Sequence, residues 1–238
     1  MCTSFVYRKS GIWVGMNFDL DGTAFKVAAD GGGDFLVSVK SRGTYFPSFG
    51  VNKAGLFVND LMVPPNEAGR YKRQSDKRWI TTSLIQYIMA EDAGFEDVKA
   101  LLERVVIVNA PGQSTHNLIM DRHGNTCIVE PGRKILYSEP DDSDWVVMTN
   151  FPLSEYDDIV PATVSGDGAD RYLTTLESLA ALDRPMCVED GFDVLQRVAQ
   201  AGPEWKTELS ILYDAGKREL YYCVDRRFDA IEQVDLGS

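Results

Sequence analysis

The sequence has no CxxC pair. Its four cysteines, Cys2, Cys127, Cys187 and Cys223, stand far apart, which argues against a zinc site. Reduced thiols in a cytosol are the simplest reading, with a disulfide between two of the later three left open. No stretch approaches the roughly 20 apolar residues of a membrane span. No apolar run of signal-peptide length precedes Arg8-Lys9-Ser10-Gly11, so a cytoplasmic protein is expected. Positive charge is in short supply: the net charge is −12 over 238 residues. Such a surface repels phosphate backbones and anionic membranes, so neither nucleic acid nor membrane is an expected partner. It is compatible with a homo-oligomer without requiring one. Repeats, low-complexity tracts and long Pro/Gly/Ser linkers are also missing, and a single domain over 1–238 is expected. What remains is an ordinary globular composition, 44% hydrophobic and 25% charged, with ample material for a core.

The most informative stretch is Met1-Cys2-Thr3-Ser4. Loss of an initiator methionine is favoured before a small residue, and it would leave Cys2 as the N-terminal residue. Such a cysteine carries both parts of a minimal catalyst, a thiol nucleophile and an α-amine base. Their ordinary pKa values are about 8.5 and 8, close to neutral pH.

Residues 3–7 and 12–18 read as two short strands joined by a turn at Arg8 to Gly11. Further strand-like runs are 35–40, 44–49, 56–63, 117–121, 126–130, 144–149, 207–214 and 218–224. Asp121-Arg122-His123-Gly124-Asn125 and Asp214-Ala215-Gly216-Lys217 read as hairpin turns, Gly124 and Asn125 being able to take positive φ. Apolar periodicity predicts helices over 82–91, with Thr82 as N-cap, and over 95–104, 168–182 and 189–200. Antiparallel hairpins with helices grouped apart predict an α+β fold with helices layered on sheets.

Four local sequences in order carry more. They are Met1-Cys2-Thr3; Gly15-Met16-Asn17-Phe18-Asp19; Gly50 to Leu56, running into Leu61-Met62-Val63-Pro64; and Val147-Met148-Thr149-Asn150-Phe151-Pro152. Thr115 to Asp121, continued to Val129-Glu130-Pro131, and residues 207–222 add two hairpins. The chain resembles the choloylglycine hydrolase family, which contains bile salt hydrolases and penicillin V acylases. The resemblance implies a four-layer αββα sandwich of the N-terminal nucleophile hydrolase type. It also implies hydrolysis of a linear amide through a thioester on Cys2, with a small-molecule amide as substrate and no cofactor or metal.

The same resemblance assigns roles. Asp19, placed just after the second strand, would orient the α-ammonium or thiol. Asn150 would donate its amide to the developing oxyanion, and the backbone N–H of Met62 would be the second donor. Arg171, at a helix start, would stabilise Asp19 and the Cys2 thiolate. Asn59 and Asp60 are unusual polar residues in the strand before Met62; Asn59 is the candidate substrate contact, though which of the two faces the pocket stays open. Met16 departs from the family, which has an arginine there beside the nucleophile; Arg171, Arg42 or Lys40 would have to supply that charge. The chain is also shorter than bile salt hydrolases. His116 and His123 read as structural, since the α-amine makes a histidine base unnecessary. Phe18, Phe57 and Phe151, with Met16 and Met62, suggest an apolar acyl side. Acyl transfer, or a non-catalytic binding protein of the same fold, are the competing readings.

Overall fold

A computed structural model describes residues 1–29, 32–156 and 163–237. In chain order the strands and helices begin with β1 (Thr3–Tyr7), β2 (Trp13–Leu20), β3 (Phe25–Ala28), β4 (Phe35–Ser41), β5 (Thr44–Val51) and β6 (Phe57–Met62). A short β7 (Arg78–Ile80) leads into α1 (Thr81–Ala90) and α2 (Phe95–Arg104). Then come β8 (Val106–Val108), β9 (Thr115–Met120), β10 (Thr126–Val129), β11 (Ile135–Ser138) and β12 (Trp145–Met148). The chain finishes with α3 (Ala169–Ala180), α4 (Val188–Arg197), β13 (Lys206–Asp214), β14 (Glu219–Val224) and β15 (Glu232–Asp235).

Two antiparallel sheets form the centre. One has the order β12-β1-β2-β13-β14-β15, the other β11-β10-β9-β6-β5-β4-β3. Helices α3 and α4 pack on the first, and α1 on the second with α2 beside it, which gives the αββα layering. The two apolar clusters follow these layers. One joins the sheets and runs under α3 and α4; the other lies between the second sheet and α1 and α2. Strands β1 and β2 are buried at every position because both of their faces are covered. Phe5 lies opposite Gly15, and its ring fills the place of a Cβ there, with atoms 2.3 Å from that position. A side chain at residue 15 would force the two central strands to shift.

The turn chemistry is local and legible. Asp121 Oδ1 accepts the N–H groups of His123 and Asn125, and Gly124 takes φ 87°. Asn125 instead donates its side chain to Asp121 Oδ2. Asp214 Oδ1 accepts from Gly216 and Lys217 in the same way. Several expectations need correction. Strand β2 extends to Leu20, so Asp19 lies inside it rather than after it, because β13 pairs with it as far as Leu20. Helix α1 starts one residue earlier, with Ile80 at the N-cap and Thr82 in the first turn. Strands β3, β7, β8, β11 and β15 went unforeseen; most are short, and they are held by a neighbouring strand more than by their own pattern. All four cysteines are free thiols.

Candidate active site

The antiparallel register sets Thr3 opposite Asn17, which carries Cys2 across from the end of β2. The backbone N–H of Asp19 donates to Cys2 Sγ at 3.5 Å. The Asp19 carboxylate is buried and held on both oxygens: Thr207 Oγ1 donates to Oδ1 and Gln200 Nε2 to Oδ2, each at 2.5 Å. Thr207 arrives because β13 pairs with β2 directly at Asp19. Burial raises the Asp19 carboxyl above its ordinary pKa, against those two hydrogen bonds and the nearby positive charges.

Met1 sits at the mouth of this arrangement. Its amino group donates to Asp19 O at 3.3 Å, and its carbonyl accepts from Gln200 Nε2 at 2.7 Å. Burial pushes the Cys2 thiol up to about 12. The chain's amino terminus, most strongly, and Arg171 pull it down; Lys40 and Arg42 line the same cleft.

Arg171 joins the parts. Entering on the first turn of α3, its guanidinium donates from Nη1 to Cys2 O (2.6 Å) and Thr3 Oγ1 (2.8 Å), and from Nη2 to Asn150 Oδ1 (2.8 Å). Its Nη1 also stands 3.9 Å from Asp19 Oδ2. Gly168, before the helix, has φ 80°, and a Cβ there would lie 2.6 Å from Arg171 Nη2. Because Arg171 takes Oδ1, the Asn150 amide must point Nδ2 the other way, where it donates to Met62 O at 2.7 Å. One of its two hydrogens is left over.

The N–H of Met62 points the same way as its carbonyl. Val63 N donates to Ser114 O, so Met62, one residue earlier on the antiparallel ladder, turns both backbone groups away from β9. The pairing of β5 with β6 ends at Asn59, leaving that side open. Met62 thus turns its N–H to the side on which Asn150 Nδ2 meets its carbonyl.

The segment bearing Asn150 is itself clamped. Buried His116 places Nε2 2.8 Å from Thr149 O and Nδ1 3.2 Å from Glu130 Oε1. Glu130 also accepts the N–H groups of Leu153 and Ser154. With both ring nitrogens occupied, His116 is a structural strut, while His123 is exposed in its turn. Burial alone would raise the Glu130 carboxyl, but hydrogen bonds from His116 and Ser154 outweigh it and hold it below the usual range. A depressed folded pKa stabilises the fold above the ordinary value of 4.5 and is lost as pH falls below it. Glu130→Gln is therefore expected to cost about 2 kcal/mol at pH 7. Urea unfolding from pH 7 down to 3.5 should show the gap to wild type closing at the acid end.

A cleft of about 1070 Å³ opens over Cys2 and Asp19. Its apolar wall differs from the expected one. Phe18 and Met62 line it, but Met16, Phe57 and Phe151 are fully buried in the core. Val39, Phe46 and Pro47, from β4 and β5, and Tyr71 and Trp205, from loops, take their place. Asn59 is also corrected: it points between the sheets, accepting from Leu118 N and donating toward Met16 Sδ at 3.6 Å. Alternation along β6 turns Asp60 into the cleft instead. Gln200 carries no local motif and Thr207 only opens the 207–222 hairpin; their contact with Asp19 is revealed by the fold. Among the described residues, no group of three or more His, Cys, Asp and Glu comes together to hold a metal, and no helix is long and apolar enough to cross a membrane.

A family model described as linear amide C–N hydrolases, choloylglycine hydrolase family, matches residues 27–159, over half of the chain. That stretch contains Met62 and Asn150 and begins after Cys2 and Asp19. Solved structures of similar fold include a mutant conjugated bile acid hydrolase from Clostridium perfringens, with 15% identity and TM-score 0.73, covering 99% of this chain and 92% of that one. Penicillin V acylase from Agrobacterium tumefaciens has 20% identity and TM-score 0.66, covering 100% and 92%. The Caenorhabditis elegans ortholog of N-acylethanolamine-hydrolyzing acid amidase has 15% identity and TM-score 0.62, covering 90% and 93%. No curated protein matches the chain in sequence.

Proposed function

The chain belongs to the choloylglycine hydrolase family of linear amide C–N hydrolases, and from that premise we propose that Cys2, freed of Met1, is its nucleophile. The thiol attacks the amide carbonyl and forms a C–S bond. The α-amine takes the thiol proton and passes it to the departing amine nitrogen as the C–N bond breaks. Met62 N–H and the spare hydrogen of Asn150 Nδ2 stabilise the oxyanion. Water, deprotonated by the same amine, then cleaves the thioester to a carboxylic acid. Asp19, held by Thr207 and Gln200, orients the amine. The apolar wall suits an apolar acyl group, such as a penicillin V-like, N-acyl amide or conjugated bile acid substrate. The four free cysteines suit action in the cytoplasm.

The observation that carries this reading is the Arg171 bridge from Cys2 O to Asn150 Oδ1, which ties nucleophile and oxyanion donor into one network. A second reading, a non-catalytic binding protein, draws on Met16 at the family's arginine position and on the thiol pushed up to about 12 while Met1 is attached. Intact mass before and after iodoacetamide separates the two. Loss of Met1, with Cys2 alkylated fastest of the four cysteines and turnover of a panel of N-acyl amides, is the expected result. Retained Met1 and a Cys2 no more reactive than Cys127 would establish the binding protein.

A further inference from the structure

Asp60 takes no part in the chemistry above, yet it lines the same cleft as Cys2. It leaves the face of β6 that Met62 leaves two residues later, a spacing of about 7 Å along a strand. Ser48, its cross-strand neighbour on β5, donates to Oδ1 at 2.6 Å. The other hydrogen bond acting on its charged form comes from its own backbone. Thr82, in the first turn of α1, and Thr115, on β9, are buried and line the same cleft. Among the described residues no ion pair reaches Asp60, although part of it opens to the cleft and protein surrounds the rest. A carboxylate so placed lacks a counter-ion that the fold could have supplied.

We propose that Asp60 is a recognition residue, and that the end of the cleft floored by Asp60 and Ser48 takes a protonated amine carried by the substrate away from the scissile bond. This rests on the amide-hydrolase reading for the word substrate alone. A ligand ammonium supplies the missing positive charge, and Ser48 holds the carboxylate toward it. The apolar wall takes the carbon chain between that amine and the reacting carbonyl, so the favoured compound is an amphiphilic amide with a cationic end. Burial pushes the Asp60 carboxyl up to about 7, so its charge changes near neutral pH. The charged groups lining the same cleft are Asp19, Asp21, Lys40, Arg42 and Arg70, together with the Met1 amine.

Octylammonium chloride, 1-octanol and sodium octanoate, none of them an amide, test this by titration calorimetry on the full chain. Octylammonium is expected to bind at least tenfold tighter than 1-octanol at pH 8. Asp60→Asn should abolish that preference and leave 1-octanol affinity unchanged. Ser48→Ala should weaken the preference without abolishing it, because the carboxylate remains but loses the hydrogen bond that aims it. Between pH 6 and 8 the alkylammonium stays charged while Asp60 ionises, so its affinity should rise roughly tenfold and that of 1-octanol should not. Equal binding of octylammonium and 1-octanol, tighter binding of octanoate, no binding of any of the three, or a preference surviving Asp60→Asn would each overturn the proposal. Hydrolysis plays no part in these readings, so a failed amidase assay leaves them standing, and their failure leaves the amidase standing.

Discussion

Arg171→Leu is expected to lower kcat/KM for amide hydrolysis at least a hundredfold and to cost about 3 kcal/mol of stability, because the guanidinium is the buried hub of the site. Leucine fills similar space but leaves Cys2 O, Thr3 Oγ1 and Asn150 Oδ1 without their donor, all in the interior. Asp19, buried and held above its ordinary pKa, also loses a neighbouring positive charge. Activity falls for a separate reason. With Oδ1 no longer engaged, the Asn150 amide is free to turn, and the oxyanion donor loses its direction. Arg171→Lys discriminates between these effects. A lysine restores the charge as a single point, without the fork that reaches residues 2, 3 and 150 together. Urea unfolding should recover much of the stability in Arg171→Lys, whereas kcat should stay low. Recovery of both would mean that charge alone matters and that the fork positions nothing.

Asn150 gives the second large effect. Asn150→Ala removes one oxyanion donor and is expected to lower kcat roughly 10²–10³-fold, with KM little changed. Asn150→Asp is the sharper variant. Its carboxylate can pair with Arg171 but turns an oxygen toward Met62 O where Nδ2 had donated, so thermal unfolding should show a fold that survives with a loss of about 1–2 kcal/mol. The same carboxylate places negative charge where the oxyanion develops and offers no hydrogen to it. Its kcat should therefore fall below that of Asn150→Ala despite the nearly identical shape. Were Asn150→Asp to retain more activity than Asn150→Ala, the side chain would be a positioning group for Met62 and not a donor to the reacting oxygen.

Much of this chain is written locally. The turn at 121–125 is visible because aspartate accepts two N–H groups and Gly124 takes positive φ; the closing hairpin is visible through Asp214 in the same way. Helix α2 lies where its apolar spacing put it, Phe95–Arg104. The short sequences around Cys2, Met62 and Asn150 marked residues that the fold links: Cys2 and Met62 line one cleft, Asn150 bonds Met62 O from behind it, and Arg171 meets Cys2 and Asn150 through its own hydrogen bonds.

What the sequence by itself determined, then, is the longer strands and helices, the two hairpin turns and the chemical groups, since these follow from residues a few places apart. The tertiary structure alone decided which groups meet. Asn59 and Asp60 are adjacent and both polar, yet pairing and layering send one between the sheets and the other into the cleft. Phe57 and Phe151 are as apolar as Phe18, but only Phe18 reaches the cleft wall. Gln200 and Thr207 hold Asp19 from more than 180 residues away because β13 lies beside β2, and no local pattern encodes that neighbour. Glu130 and His116 steady the Asn150 segment only because β9 and β10 pass beneath it. A strand's period of two tells which residues share a face; which face meets the other sheet, a helix or open water is settled by long-range packing.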